Sequence, residues 1–111
     1  RFSRVFENTP KGTIRYLRPP AESLKASHRP ATPLMILFPE YNPAAQARVE
    51  EVTRIEAFAL IRGASVNCDR LGEAAFEGIS ALTERCPVFR ITYQSLDQAM
   101  EMVDELWDRL T

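Results

Sequence analysis

The chain opens with an alternation of apolar and polar positions. In Arg1–Phe6, Phe2 and Phe6 fall on one face of a strand. Glu7-Asn8-Thr9-Pro10-Lys11-Gly12 is turn chemistry, and Thr13–Leu17 is a second strand with Ile14 and Tyr16 on one side and Arg15 on the other. Pro19-Pro20 stops it. Residues 21–33 hold Pro30, Pro33 and many small polar residues, the composition of an exposed connector. Leu34–Phe38 is apolar on both faces and bounded by Pro33 and Pro39, which predicts a strand buried inside a sheet, with Pro39–Pro43 leaving it as a loop.

Helical spacing then takes over. Thr53 and Glu56 form a capping box, in which the threonine hydroxyl takes an orphan amide at the helix start. Ile55, Phe58, Ala59 and the stem of Arg62 line the face expected to be buried, and Gly63 is the expected stop. A second helix is predicted from near Gly72 to about Arg85, with Ala75, Phe76, Ile79, Leu82 and Cys86 at helical intervals and Pro87 as breaker. Val88–Tyr93 alternates, with Phe89, Ile91 and Tyr93 opposite Arg90 and Thr92, as in a half-buried strand. Ser95 and Gln98 make another capping box. It opens a helix whose predicted buried face carries Leu96, Ala99, Val103, Leu106, Trp107 and Leu110. Asp97, Glu101, Asp104, Glu105 and Asp108 lie mostly opposite and read as a solvated face, because they do not converge as metal ligands would.

These elements predict an α/β or α+β fold: a small sheet of about four strands with three helices. Residues 1–33 would be a hairpin and proline-rich connector, and residues 34–111 a strand-helix-helix-strand-helix core. At 111 residues the chain is one domain or part of one. It begins at Arg1, not Met, which points to truncation, processing or an excised domain.

Composition narrows the function classes. Fourteen basic and fifteen acidic residues nearly cancel, so there is no bulk charge to attract nucleic acid or an anionic membrane. No apolar run is longer than the five residues of Leu34–Phe38, far short of the ~20 residues that span a bilayer. Cys68 and Cys86 have no second ligand at metal spacing; a disulfide is open to them in an oxidising compartment, but buried thiols and a cytoplasmic location are expected. The single histidine, His28, sits in the connector without a nucleophile or base partner. Lys11-Gly12-Thr13 looks like the tail of a phosphate loop but lacks the preceding glycines that aim successive amides at phosphate. Lys11, Arg15 and Arg18, with Arg4, form a basic cluster on the hairpin. It suits a phosphate or an acidic peptide, but composition alone favours a charged strand edge that guards against pairing.

Taken in order, several segments resemble one family. Thr9-Pro10-Lys11-Gly12-Thr13 with Leu17-Arg18-Pro19-Pro20 is similar to the stretch that opens the last third of HPr-kinase-related proteins. Ile36-Leu37-Phe38-Pro39-Glu40-Tyr41, Gly63-Ala64-Ser65-Val66-Asn67 with Leu71-Gly72, and Phe89 to Ala99 resemble the segments that follow there. The resemblance implies the C-terminal part of a phosphoenolpyruvate-carboxykinase-like serine kinase. Such a kinase moves a phosphoryl group from ATP, with Mg²⁺, to a serine of a protein or peptide. The phosphate loop, its lysine and the metal-holding carboxylate are absent from this sequence, so the chain alone is expected to be inactive and to hold no cofactor. By the same resemblance Lys11, Gly12 and Thr13 are the first site candidates, at the mouth of the parent's active site, with Arg15 nearby. Asn67 matches a helix-end asparagine, which also suits a simple cap, and Arg48 is a further candidate. The family's Pro-Gly-Arg-Asn segment is replaced by Asn42-Pro43-Ala44-Ala45-Gln46-Ala47-Arg48, so HPr itself is not assumed as substrate. Oligomerisation is left open, as is a free-standing regulatory or protein-interaction module derived from the same fold.

Overall fold

The computed structural model describes residues 1–111. It divides into two units, Arg1–Thr32 and Pro33–Thr111.

The first unit is a hairpin followed by a short helix. Strands β1 (Phe6–Thr9) and β2 (Gly12–Ile14) pair antiparallel, with Phe6 opposite Ile14 and Thr9 opposite Gly12. The expected strands, 1–6 and 13–17, lie further from the turn than these. Pairing does continue outward past an irregularity, through a Phe2–Leu17 bridge and an Arg18 amide donating to the Arg1 carbonyl at 2.7 Å. Helix α1 (Ala21–Lys25) corrects the expectation of a structureless connector. Pro20, with its φ already near the helical value, precedes four good helix formers in Ala21, Glu22, Leu24 and Lys25.

The second unit is a three-stranded sheet with helices on both faces. Strands β3 (Ile36–Tyr41), β4 (Arg48–Glu51) and β5 (Val88–Tyr93) stand in the order β3-β5-β4. β5 runs parallel to β3 and antiparallel to β4. Helices α2 (Arg54–Ala64), α3 (Cys68–Leu71), α4 (Glu73–Arg85) and α5 (Leu96–Leu110) complete the unit. The chain is thus mixed α and β, with five strands in two small sheets and five helices.

Leu34–Phe38 is not the central strand. β3 is an edge strand, half-buried over Ile36–Phe38, and it runs on through Pro39 to Tyr41. The amides of Ile36 and Asn42 donate to the Pro87 and Tyr93 carbonyls at 3.0 and 2.9 Å. In a parallel ladder alternate residues face the same neighbour, so the Pro39 nitrogen faces the free edge, where no donor is needed. The central place belongs to β5, and this overturns its expected half-burial: Val88, Phe89, Ile91 and Thr92 are all buried. On one face Phe89 and Ile91 pack with Leu106 of α5, and Met35, Leu37, Val49, Tyr93, Met102, Val103 and Leu110 close round them. On the other face Arg90 reaches Glu56 of α2 at 3.1 Å. α2 and α4 are joined by the tilted ring contact of Phe58 and Phe76, 5.2 Å between centroids, and by Arg54–Glu84 at 2.6 Å.

Both capping boxes form: Thr53 Oγ1 accepts the Glu56 amide at 3.3 Å, and Ser95 Oγ accepts the Gln98 amide at 3.2 Å. The expected buried faces need correction. Ala57 is the buried residue of α2, whereas Ile55 is 85% exposed. Phe76 of α4 and Leu96 and Trp107 of α5 are also exposed. Cys68 and Cys86 are both free thiols, and Cys86 donates to the Pro33 carbonyl at 3.3 Å. No helix is long and apolar enough to cross a membrane.

Ile91, 1% exposed at the middle of β5, is the test of this core. Ile91→Ala should lower unfolding free energy by about 3 kcal/mol in urea titration, through lost transfer energy and the cavity left behind. Ile55→Ala should change it by less than about 0.5 kcal/mol.

Candidate functional site

The hairpin is built around a tight turn. Thr9 donates its hydroxyl proton to the Gly12 carbonyl and accepts the Lys11 amide at 3.2 Å. Asn8 and Gly12 take positive φ, 57° and 86°, values that these two residue types tolerate best. The Lys11 amide is therefore committed within the turn, and only its side chain projects to solvent. Lys11-Gly12-Thr13 thus presents a single cation at the tip of a hairpin and not a run of free amides.

Along the strands the cations rest on aromatic rings. The Arg4 guanidinium lies 4.8 Å from the Phe6 centroid, and the Arg15 guanidinium 5.6 Å from that of Phe2. Phe6 meets Tyr16 edge-on at 5.6 Å. Stacking restrains a guanidinium without neutralising it. All four ion pairs of the chain lie in Pro33–Thr111. Residues 1–32 carry seven Arg and Lys against two Glu, and none of these charges is paired. The near-neutral total thus conceals a basic N-terminal unit and an acidic remainder. That division was readable from the residue types, but only once the boundary between the units was known.

The structure gathers Lys11, Gly12, Thr13 and Arg15 on one hairpin. It does not bring Arg48 or Asn67 into a shared site with each other. Arg48 opens β4 and spends its charge on Glu50 at 3.0 Å. Asn67 does not end a helix: α2 stops at Ala64, and Asn67 precedes α3 without a capping bond from its side chain. His28 is exposed, and no three His, Cys, Asp or Glu side chains converge.

A second feature went unread in the sequence. Phe58, Cys68, Phe76 and Ile79, drawn from α2, α3 and α4, line a groove of about 420 Å³ with the Arg62–Asp69 pair, 3.6 Å apart, beside it. Its walls come from three elements, so no local motif marks it. Its lining is mainly apolar apart from Arg62 and Asp69, and it holds no nucleophile–base pair.

Comparison with protein-family models, curated proteins and solved structures finds no match.

The unpaired hairpin cations should attract a compact polyanion. Titrating the chain with inorganic pyrophosphate should shift the amide resonances of Arg1–Arg18 with an affinity of about 1 mM, weakening as salt rises. Shifts spread evenly over both units would contradict a localised anion site.

Proposed function

We propose that the chain is the C-terminal part of a serine kinase of the HPr-kinase-related group, catalytically incomplete by itself. The observation that carries this reading is the Lys11 hairpin: exposed cations, held on aromatic rings and lacking carboxylate partners. Phosphoryl transfer is governed by positioning and by neutralising charge on the equatorial oxygens of the moving group, and a lysine at the tip of a rigid turn supplies such a charge. Arg15 and Arg4 would add to the field without taking part in covalent chemistry. The acceptor is a serine in a protein or peptide.

In this reading the chain does not itself carry the site for ATP and Mg²⁺. The Lys11 amide is occupied by Thr9, and no carboxylate group gathers near the hairpin tip. Those ligands belong, in this reading, to a nucleotide-binding half of the parent kinase. A free-standing regulatory or interaction module is the second reading, favoured by the large apolar side chains that α2, α4 and α5 leave exposed.

Calorimetry of the isolated chain should detect no ATP binding in the micromolar range, and micromolar affinity would sink the reading of an incomplete kinase.

In the polypeptide that includes the nucleotide-binding half, Lys11→Ala should lower kcat at least ~10-fold, about 1.4 kcal/mol of transition-state stabilisation. Lys25→Ala, in α1, should leave turnover unchanged, and both should melt with the parent. Equal activity in the two variants would favour the interaction module.

A further inference from the structure

α5 has one more apolar stripe than its own sheet uses. Leu106 is buried, and Met102, Val103 and Leu110 pack beside it on the core. Leu96, Met100 and Trp107 are instead 72%, 52% and 54% exposed. Leu96, Met100, Val103, Trp107 and Leu110 follow one another at intervals of four, three, four and three residues, the spacing of a helix–helix seam. Val103 and Leu110 serve both stripes. A helix that covered only its own sheet would carry polar residues at Leu96, Met100 and Trp107.

Charge says what fits there. At about 100° per residue, Asp97, Glu101, Asp104 and Asp108 fall along the solvent side of this outer stripe, roughly a quarter-turn beyond it. All four are exposed and none has a cationic partner. The one cation of α5, Arg109, is turned the other way, over the Phe89 ring at 5.7 Å. The surface is thus an apolar ridge with a carboxylate rail on one flank and the protein's own core on the other.

We propose that the outer face of α5 docks a basic amphipathic helix of a partner protein. Its apolar side chains would interlock with Leu96, Met100 and Trp107, and its Lys or Arg flank would lie along the carboxylate rail. A second copy of the chain fits poorly. Two α5 helices packed antiparallel set rail against rail, and Pro33–Thr111 carries thirteen acidic residues to seven basic. Nucleic acid and anionic membranes are repelled by the same carboxylates.

Trp107 is the only tryptophan in the chain, so its emission reports directly on this face. The probes are two synthetic helices of roughly 20 residues with leucine at the seam positions, one flanked by lysine and one by glutamate. The lysine helix should shift Trp107 emission to the blue and saturate in the ~10 µM range, with the glutamate helix at least about tenfold weaker. Leu96→Ser with Met100→Ser should weaken the lysine helix about tenfold without lowering the melting temperature, since both side chains already face water. Asp104→Lys with Asp108→Lys, which brings the rail to no net charge, should abolish the preference for the lysine helix. Equal binding of both probes, no emission change at millimolar peptide, or indifference to either double variant would overturn the proposal. So would a dimer in sedimentation that the Leu96/Met100 variant abolishes, because the occupant would then be a second copy.

Discussion

The larger unit depends on covering β5 from both sides. A strand with neighbours at both edges and side chains buried above and below can spend its backbone only on its two ladders. β5 does so with β3 and β4, and its side chains then fix what lies on either face. Phe89 and Ile91 require Leu106 and its neighbours on α5. Arg90 on the opposite face pairs with Glu56 of α2. Removing α5 would expose the apolar cluster around Phe89 and Ile91, and removing α2 would leave a cation without its partner. The positions of the helices therefore follow from the alternation along six residues.

Much of this architecture could be read along the chain where punctuation is sharp. β5 and α5 begin and end where Pro87, Ser95 and the two alternating patterns put them, and α4 is bracketed by Gly72 and Pro87. β3 was harder, because proline reads as a strand stop. Only its place at the sheet edge, which leaves every second amide idle, explains why Pro39 is tolerated. β4 has one apolar residue in Arg48-Val49-Glu50-Glu51, and its partner Ile91 lies far along the chain, so nothing local marks it. The burial of α2 was ambiguous for another reason. Ile55, Ala57, Phe58, Ala59, Leu60 and Ile61 surround much of the helix, and several rotations satisfy the same spacing.

The candidate site was legible in a similarly uneven way. Lys11, Arg15, Arg18 and Arg4 are visible as residue types, and the turn around Lys11 follows from Thr9, Pro10 and Gly12. Whether such cations are free is a matter of pairing in space, and the stacking of Arg4 and Arg15 on Phe6 and Phe2 emerges only from the folded hairpin. Arg48 illustrates the opposite result, a further candidate cation that pairs with a neighbour two residues away. The exposed stripe of α5 was hidden because a helix with two adjacent apolar stripes has the same composition as one with a single broad stripe.

Pro39 has an effect beyond its own strand. An open sheet invites further strands along its edges, the route by which many β proteins polymerise. On one side of this sheet the pyrrolidine ring occupies a position where an incoming strand would look for a donor. On the other, β4 is only four residues long and bears Arg48, Glu50 and Glu51. Both borders are poor templates for fibril growth, so assembly of this unit through side chains is favoured over a shared backbone ladder.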